Sequence, residues 1–285
     1  MSLINRQPKI TAGKRPIGEG EPVFVIAEAG INHNGDPELA EELIREAKTS
    51  GADAIKFQTY ITEKRVPKDS PIFGILKQCE LSFKQQEELF RKADSAGILF
   101  FSTPFDEESA DFLSEIGVPL IKIASFDIVN LKLLRHVSKK KIPMIVSRGM
   151  ANEAEVDRAV DIFEENEVPY AILHCISSYP NKEENANLRV IQTLKEKYTC
   201  PIGYSDHTLG IRTPVLAVAS GATVIEKHFT LDQAMPGPDH TISCDPSLMS
   251  EMIQQIRETE KILGGGALKV YEAEIPTLVY RRVVV

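Results

Sequence analysis

The sequence predicts an α/β fold, a TIM-type (β/α)8 barrel behind a short N-terminal hairpin. Three observations lead there. Eight short apolar runs alternate with amphipathic stretches along the 285-residue chain. Eight such units in about 250 residues is the size and rhythm of a (β/α)8 barrel. Polar residues also collect at or just past the C-terminal end of the runs, where barrel active sites lie. A doubly wound open sheet competes, but no G-x-G-x-x-G follows the first run.

The elements follow in order. Residues 1–22 contain PKITAGKRPIGEGE, read as a hairpin closing the bottom of the barrel. The first strand is VFVIAEAG (23–30), and Asp36-Pro37-Glu38 then reads as an N-cap with proline at the first helical position. The second strand is AIKFQT (54–59), separated by about 24 residues from the capping box Ser82…Gln85. ILFFSTP (98–104) precedes the N-cap Asp106, LIKIAS (120–125) follows, and PMIVS (143–147) leads to the capping box Asn152…Glu155. YAILHC (170–175), CPIGYS (200–205) and ATVIEKHF (222–229) complete the set, with the helix-like IRTPVLAVASG between the last two. Connections of about a dozen residues or more follow the sixth and eighth strands, a length typical of functional lids. The barrel is expected over 23–266, ending at Gly264-Gly265-Gly266. Residues 267–285 form a linker-like tail too short for a domain.

Composition narrows the function classes. At 42% hydrophobic and 26% charged, the chain is globular. It holds no apolar run of membrane-spanning length, and its first residues, MSLINRQPKI, lack a signal-peptide core. A cytoplasmic setting without a membrane partner is expected. Four cysteines (Cys79, Cys175, Cys200, Cys244) have no C-x-x-C spacing. A net charge of -8 with no basic block argues against nucleic-acid binding. An anionic ligand would need a local positive pocket.

The lysines supply one. Period-two alternation puts Lys56 and Gln58 on one face of AIKFQT, toward the barrel mouth, and Ile55 and Phe57 under the helices. Lys122 sits likewise between Ile121 and Ile123. A buried ammonium is costly unless paired. The plain reading is a salt bridge to Glu28 or Glu226. Two lysines among Thr103, Ser125, Ser147 and Ser205 favour a bound phosphate or carboxylate, and a Schiff-base lysine is the alternative.

His207 in GYSDHT and His228 in EKHFT stand at the ends of successive strands, with Glu226 and Asp239 near in sequence. A lone histidine is more often structural, whereas a pair so placed points to metal. Closed structural zinc wants four ligands and catalytic zinc usually three. Two histidines with open positions suit a divalent ion such as Mn2+, with Mg2+ or Co2+ as alternatives, acting as a Lewis acid on a substrate oxygen. Weaker features remain open. His174 and Cys175 are a catalytic pair or interior strand residues, His33 touches substrate or caps its turn, and Phe105 packs a sugar face or the loop core. His136 receives no role.

IAEAGINHNG, IKFQTY, FFSTPFD, IKIASFD, VSRGMA, LHCISSYP, GYSDHT, VIEKHFTLD and PGPDHTIS, between residues 26 and 243, together resemble the sialic acid synthase family. Its members condense phosphoenolpyruvate with an N-acetylated amino sugar on a TIM barrel. The resemblance implies that His207 and His228 bind the metal. It places Lys56, Thr103, Lys122, Ser125, Ser147 and Ser205 at phosphoenolpyruvate, and Glu28, Gln58, Phe105, Tyr179 and Asp239 on the sugar side. It implies that the metal polarises the open-chain aldehyde and that C3 of phosphoenolpyruvate attacks it. Water then adds at C2, and phosphate leaves by C–O cleavage. Asp127 stands where the family usually has Glu, Ser177 where it has Asn, and Arg148 where Thr is usual. IASFD and SSYPNKEENANL resemble pseudaminic acid synthases, while GYSDHT and PGPDH resemble sialic or legionaminic ones, so the sugar stays open. RRVVV resembles the start of the family's C-terminal antifreeze-like domain, which in a neighbouring subunit of a homodimer covers the barrel mouth. The expectation is a barrel without that cover. The competing functions are a Schiff-base aldolase and a non-catalytic sugar- or phosphoenolpyruvate-binding homologue.

Overall fold

The computed structural model describes residues 9–282; the polar start (residues 1–8) and the last three residues of RRVVV lie outside the described residues. A hairpin of β1 (Ile10–Ala12) and β2 (Arg15–Ile17) comes first, with Ile10 opposite Ile17. Eight strands follow: β3 (Phe24–Gly30), β4 (Ala54–Thr59), β5 (Leu99–Pro104), β6 (Ile121–Ile123), β7 (Met144–Ser147), β8 (Tyr170–Cys175), β9 (Ile202–Asp206) and β10 (Val224–His228). They pair in parallel in chain order, and β10 returns to β3 to close the barrel. The expected (β/α)8 architecture is therefore the observed one.

The outer layer comprises α1 (Pro37–Thr49), α2 (Thr62–Arg65), α3 (Phe73–Cys79), α4 (Phe83–Ala96), α5 (Glu107–Ile116), α6 (Leu131–Ser138), α7 (Glu153–Glu165), α8 (Arg189–Lys197), α9 (Arg212–Ala219) and α10 (Pro246–Leu263). The caps read from sequence are formed. The Asp36 side chain accepts from the Glu38 amide and Asp106 from the Ser109 amide, while Ser82–Gln85 and Asn152–Glu155 close reciprocal boxes. Each cap satisfies amides that the first helical turn cannot, typically about 1 kcal/mol of stability.

Two apolar layers follow from strand parity. Phe24, Ile26, Ala54, Phe101, Ile145, Ala171, Leu173 and Val224 point inward and pack with Ile10, Ala12 and Ile17, so the hairpin plugs the barrel floor. Residues of the other parity, including Ile55, Phe57, Phe100 and Ile225, pack under the helices. Burying each such side chain contributes roughly 1.5–3 kcal/mol. Gly203 keeps the lumen closed at β9, because a Cβ there would lie 2.5 Å from the Leu173 side chain and 2.7 Å from that of Val224. With the inward apolar residues filling the lower lumen, the next inward position of each strand must lie at the open C-terminal end. That is where the polar residues stand.

Two details go beyond the sequence reading. The connection after β4 contains α2 and α3, packed around a small core of Ile31, Tyr60, Leu76 and Cys79. Within the tail, Glu272–Tyr280 form a 3-10 helix with Ile275, Val279 and Tyr280 exposed. Among the described residues no helix is long and apolar enough to cross a membrane. All four cysteines are free and buried.

Candidate functional site

The inward positions above the apolar layers form a chain of alternating charge. Glu28 of β3 and Lys56 of β4 are register partners, and Glu28 Oε2 lies 2.6 Å from Lys56 Nζ. Lys56 also lies 3.7 Å from Glu226 Oε2 and donates to Thr103 Oγ1 at 3.2 Å. Glu226 Oε1 accepts from Ser205 at 2.8 Å and stands 3.8 Å from Lys122 Nζ. Lys122 donates to Ser147 Oγ at 2.7 Å and to the Ile123 carbonyl at 3.1 Å. The lysines are thus paired, as the plain reading held, and they also face one narrow cavity. Its lining includes Glu28, Lys56, Gln58, Thr103, Phe105, Lys122, Ser125, Ser147, Tyr179, Ser205, His207, Glu226 and His228, all singled out from sequence.

Burial and charge split the two carboxyls. Burial pushes Glu28 up from 4.5 to about 7, against the pull of Lys56. It pushes Glu226 the same way, but Lys122 and Lys56 outweigh it and hold that carboxyl well below its ordinary value. Burial also lowers Lys122, whereas Glu226 and Glu28 overcome burial at Lys56 and raise it. Near neutral pH, two buried amines therefore share one firmly ionised carboxylate and one half-ionised carboxyl.

Glu28 supplies a pH prediction. A carboxyl that binds its proton more tightly when folded adds stability that is complete below pH 4.5 and lost as pH rises through about 7. The ligand-free protein should lose that increment across the window, and Glu28→Gln should flatten the slope. Thermal melts of both proteins at successive pH values test it; parallel curves would reject the assignment.

The histidines lie beside this chain, with ring centroids 5.6 Å apart. His207 Nδ1–H donates to the Ile176 carbonyl at 2.8 Å, which leaves Nε2 bare. His228 Nδ1 is buried without a hydrogen-bond partner, and Asp239 Oδ2 is 3.9 Å from it. Burial lowers His207 to about 4, His228 adding to the effect, and burial lowers His228 too. Two neutral imidazoles, one with an orphaned nitrogen, are the donor set a divalent ion takes. Among the described residues no three His, Cys, Asp or Glu side chains converge as a closed metal site requires. The residues fit an open two-histidine site.

Behind the histidines runs a second ion pair, on the outward face of the wall. Lys227 Nζ lies 2.6 Å from Asp206 Oδ2, and both side chains are inaccessible. Thr208 donates its amide and hydroxyl to Asp206, and Lys227 also donates to the Thr208 carbonyl. Asp206 and Thr208 flank His207 and Lys227 precedes His228, so this network fastens both imidazole-bearing segments.

Residues 43–268 match the NeuB family. The chain belongs to the NeuB family. A crystal structure of N-acetylneuraminic acid synthetase from Leptospira borgpetersenii, in complex with citrate, superposes with a TM-score of 0.94 at 45% identity, covering 96% of each chain. The N,N'-diacetyllegionaminic acid synthase of Legionella pneumophila is 45% identical over 93% of this chain and 80% of its own. A pseudaminic acid synthase of Campylobacter jejuni is 38% identical over 91% of this chain and 80% of its own.

Other sequence readings of this NeuB-family barrel resolve one by one. Asp127, Ser177 and Asp239 stand outside the cavity lining. Burial raises the half-buried Asp127, which accepts from Asn130 at 3.0 Å. The Ser177 hydroxyl is buried without a partner beside Gly149, where a Cβ would meet it at 2.5 Å and Ser125 Oγ at 2.6 Å. Arg148 is absent from the lining, and its charge falls on outward-facing His174. His174 and Cys175 are not a pair: His174 bonds the Ala186 carbonyl outside the wall, while Cys175 faces inward to Ser125 Oγ at 3.0 Å. His33 caps its turn by accepting from the Gly35 amide. His136 pairs with Asp111. Phe105 packs against the loop core and also lines the cavity. Sequence reasoning missed Arg65, which lines the cavity from α2. It sits in a four-residue helix within a long connection, where no periodicity marks a side chain's direction. Glu226, read only as a counter-ion, proves to be the carboxylate both lysines share. A larger hollow of about 700 Å3 lies beside the hairpin and α10, but Arg257 on its wall is already paired with Asp53 and Glu260.

Proposed function

We propose that the chain is a nonulosonic acid synthase, a transferase that condenses phosphoenolpyruvate with an N-acetylated amino sugar and releases phosphate. One observation carries this reading: two buried lysines, Lys56 and Lys122, face one narrow cavity together with the hydroxyls of Thr103, Ser125, Ser147 and Ser205, and both stand within 3.8 Å of the same carboxylate, Glu226. Amines and hydroxyls gathered in this way, inside a chain of net charge -8, form the local pocket an anion needs. The names of the relatives supply the reaction class.

Lys56 and Lys122 hold the carboxylate and phosphate of phosphoenolpyruvate, with Thr103, Ser125, Ser147 and Ser205 donating hydroxyls. His207 and His228 would hold a divalent ion, Mn2+ by preference, whose chemistry is to polarise the sugar carbonyl. Gln58, Phe105 and Tyr179 orient the sugar, with Asp127, Ser177 and Asp239 at the rim. C3 of phosphoenolpyruvate forms the new bond to the aldehyde carbon. Glu28 gives its proton to the resulting alkoxide. Water adds at the resulting C2 cation and returns a proton to Glu28. The C2–O bond to phosphate then breaks, its electron pair leaving on phosphate as C2 becomes a ketone and its hydroxyl proton is lost to solvent. The direct test is phosphate release from phosphoenolpyruvate and Mn2+ with a panel of N-acetylated hexoses; no release with any of them would reject the function.

Lys122→Met should weaken phosphoenolpyruvate binding by about 1.5–3 kcal/mol, more than it weakens sugar binding. Calorimetry giving the reverse order would remove Lys122 from the anion site. The lowered proton affinity of Lys122 also favours a second reading, a Schiff-base aldolase. Borohydride trapping with pyruvate labels a lysine only in that case.

A further inference from the structure

Arg65 has no role in the reading above, yet it is built into the site. Its guanidinium carbon lies 3.5 Å from the centre of the Phe105 ring and 4.7 Å from that of Tyr60. Nη1 donates to Gln58 Oε1 at 3.0 Å, and Gln58 in turn reaches Glu28. The segment carrying Arg65 is pinned. The Ile61 amide donates to Asp106 Oδ2 at 3.0 Å, the Thr62 amide to Glu80 at 2.9 Å and the Tyr60 hydroxyl to the Leu76 carbonyl at 2.9 Å. Among the described residues no carboxylate forms an ion pair with Arg65. A half-buried arginine stacked on an aromatic ring, with one N–H engaged, keeps further in-plane donors for a ligand.

We propose that Arg65 is a specificity-determining residue, donating to a neutral acyl oxygen of the amino-sugar substrate. The proposal rests on the synthase reading and deepens it. Arg65 contacts Gln58 and Phe105, the two side chains that orient the sugar in the synthase reading. Asp127, Asp239 and Glu28 all act on its charge, so that rim holds one cation among several carboxylates. A dianionic phosphate there would meet net repulsion. An acylamino carbonyl takes the N–H donors without bringing charge.

The test is steady-state phosphate release by wild type, Arg65→Met and Arg65→Lys. The acceptors are a 2-acetamidohexose, a hexose with two acetamido groups and a 2-acetamidohexose 6-phosphate. Wild type should favour the neutral acceptors over the 6-phosphate. Arg65→Met keeps apolar contact with Phe105 but loses the donors; it should raise the KM of the neutral acceptors about tenfold or more, with the phosphoenolpyruvate KM moving less than about twofold. Arg65→Lys should recover little, since an ammonium lacks the planar fork; it also carries the test if Arg65→Met melts abnormally. Unchanged acceptor KM in the variants, an equal rise for phosphoenolpyruvate, or wild-type preference for the 6-phosphate each overturns the assignment. Wild type that releases no phosphate with any acceptor overturns the synthase reading, and this proposal with it.

Discussion

His228→Ala and His207→Ala should each reduce metal-dependent turnover by about a thousandfold, equivalent to about 4 kcal/mol of barrier, while the barrel stays folded. The size follows from the donor set. In the proposed site two imidazoles would hold the ion, so losing either would remove half of its nitrogen ligands. The orphaned Nδ1 of His228 shows that no protein hydrogen bond competes for it. Folding should survive because the apolar layers that hold the wall lie below and outside these rings. Mn2+ titration should show the same loss without reference to turnover. His174→Ala is the control: that ring is equally buried but bonds the Ala186 carbonyl outside the wall, so its removal should leave Mn2+ affinity unchanged. A metal-stripped double variant with full activity would end the metal assignment.

Lys227→Met should destabilise the fold by about 3–5 kcal/mol, a large share of the 5–15 kcal/mol typical of a protein. Asp206 would lose its ammonium partner in a fully inaccessible position, keeping the Thr208 amide and hydroxyl as donors. The companion substitution Asp206→Asn should restore much of the loss in the double variant, because a neutral amide needs no counter-ion. Denaturant unfolding of the single and double variants measures this directly. Equal stability for Lys227→Met and wild type would reject the pair as a stabilising element of the wall.

These two residue types show where sequence reasoning succeeds and where it stops. In AIKFQT the alternation alone directs Lys56 inward and Phe57 outward, and the structure agrees. In VIEKH the same rule turns Glu226 and His228 inward and Lys227 outward. Yet only tertiary structure shows that outward Lys227 is buried against Asp206 rather than solvated. Glu28 and Glu226 were both credible partners for either lysine, and strand register plus barrel closure decided how they are shared.

By itself the sequence determined the eight strands, four of the helix starts and the inward sense of Lys56 and Lys122, because alternation and capping act over a few neighbouring residues. It thereby identified most of the cavity lining. Tertiary structure decided which charges meet, which carboxyl stays ionised, how His174 and Cys175 part to opposite faces, and that Arg65 reaches the cavity from a short helix in a long connection. Those outcomes depend on distances between segments far apart in the chain and on the burial that closure imposes, and no local pattern of residues encodes either.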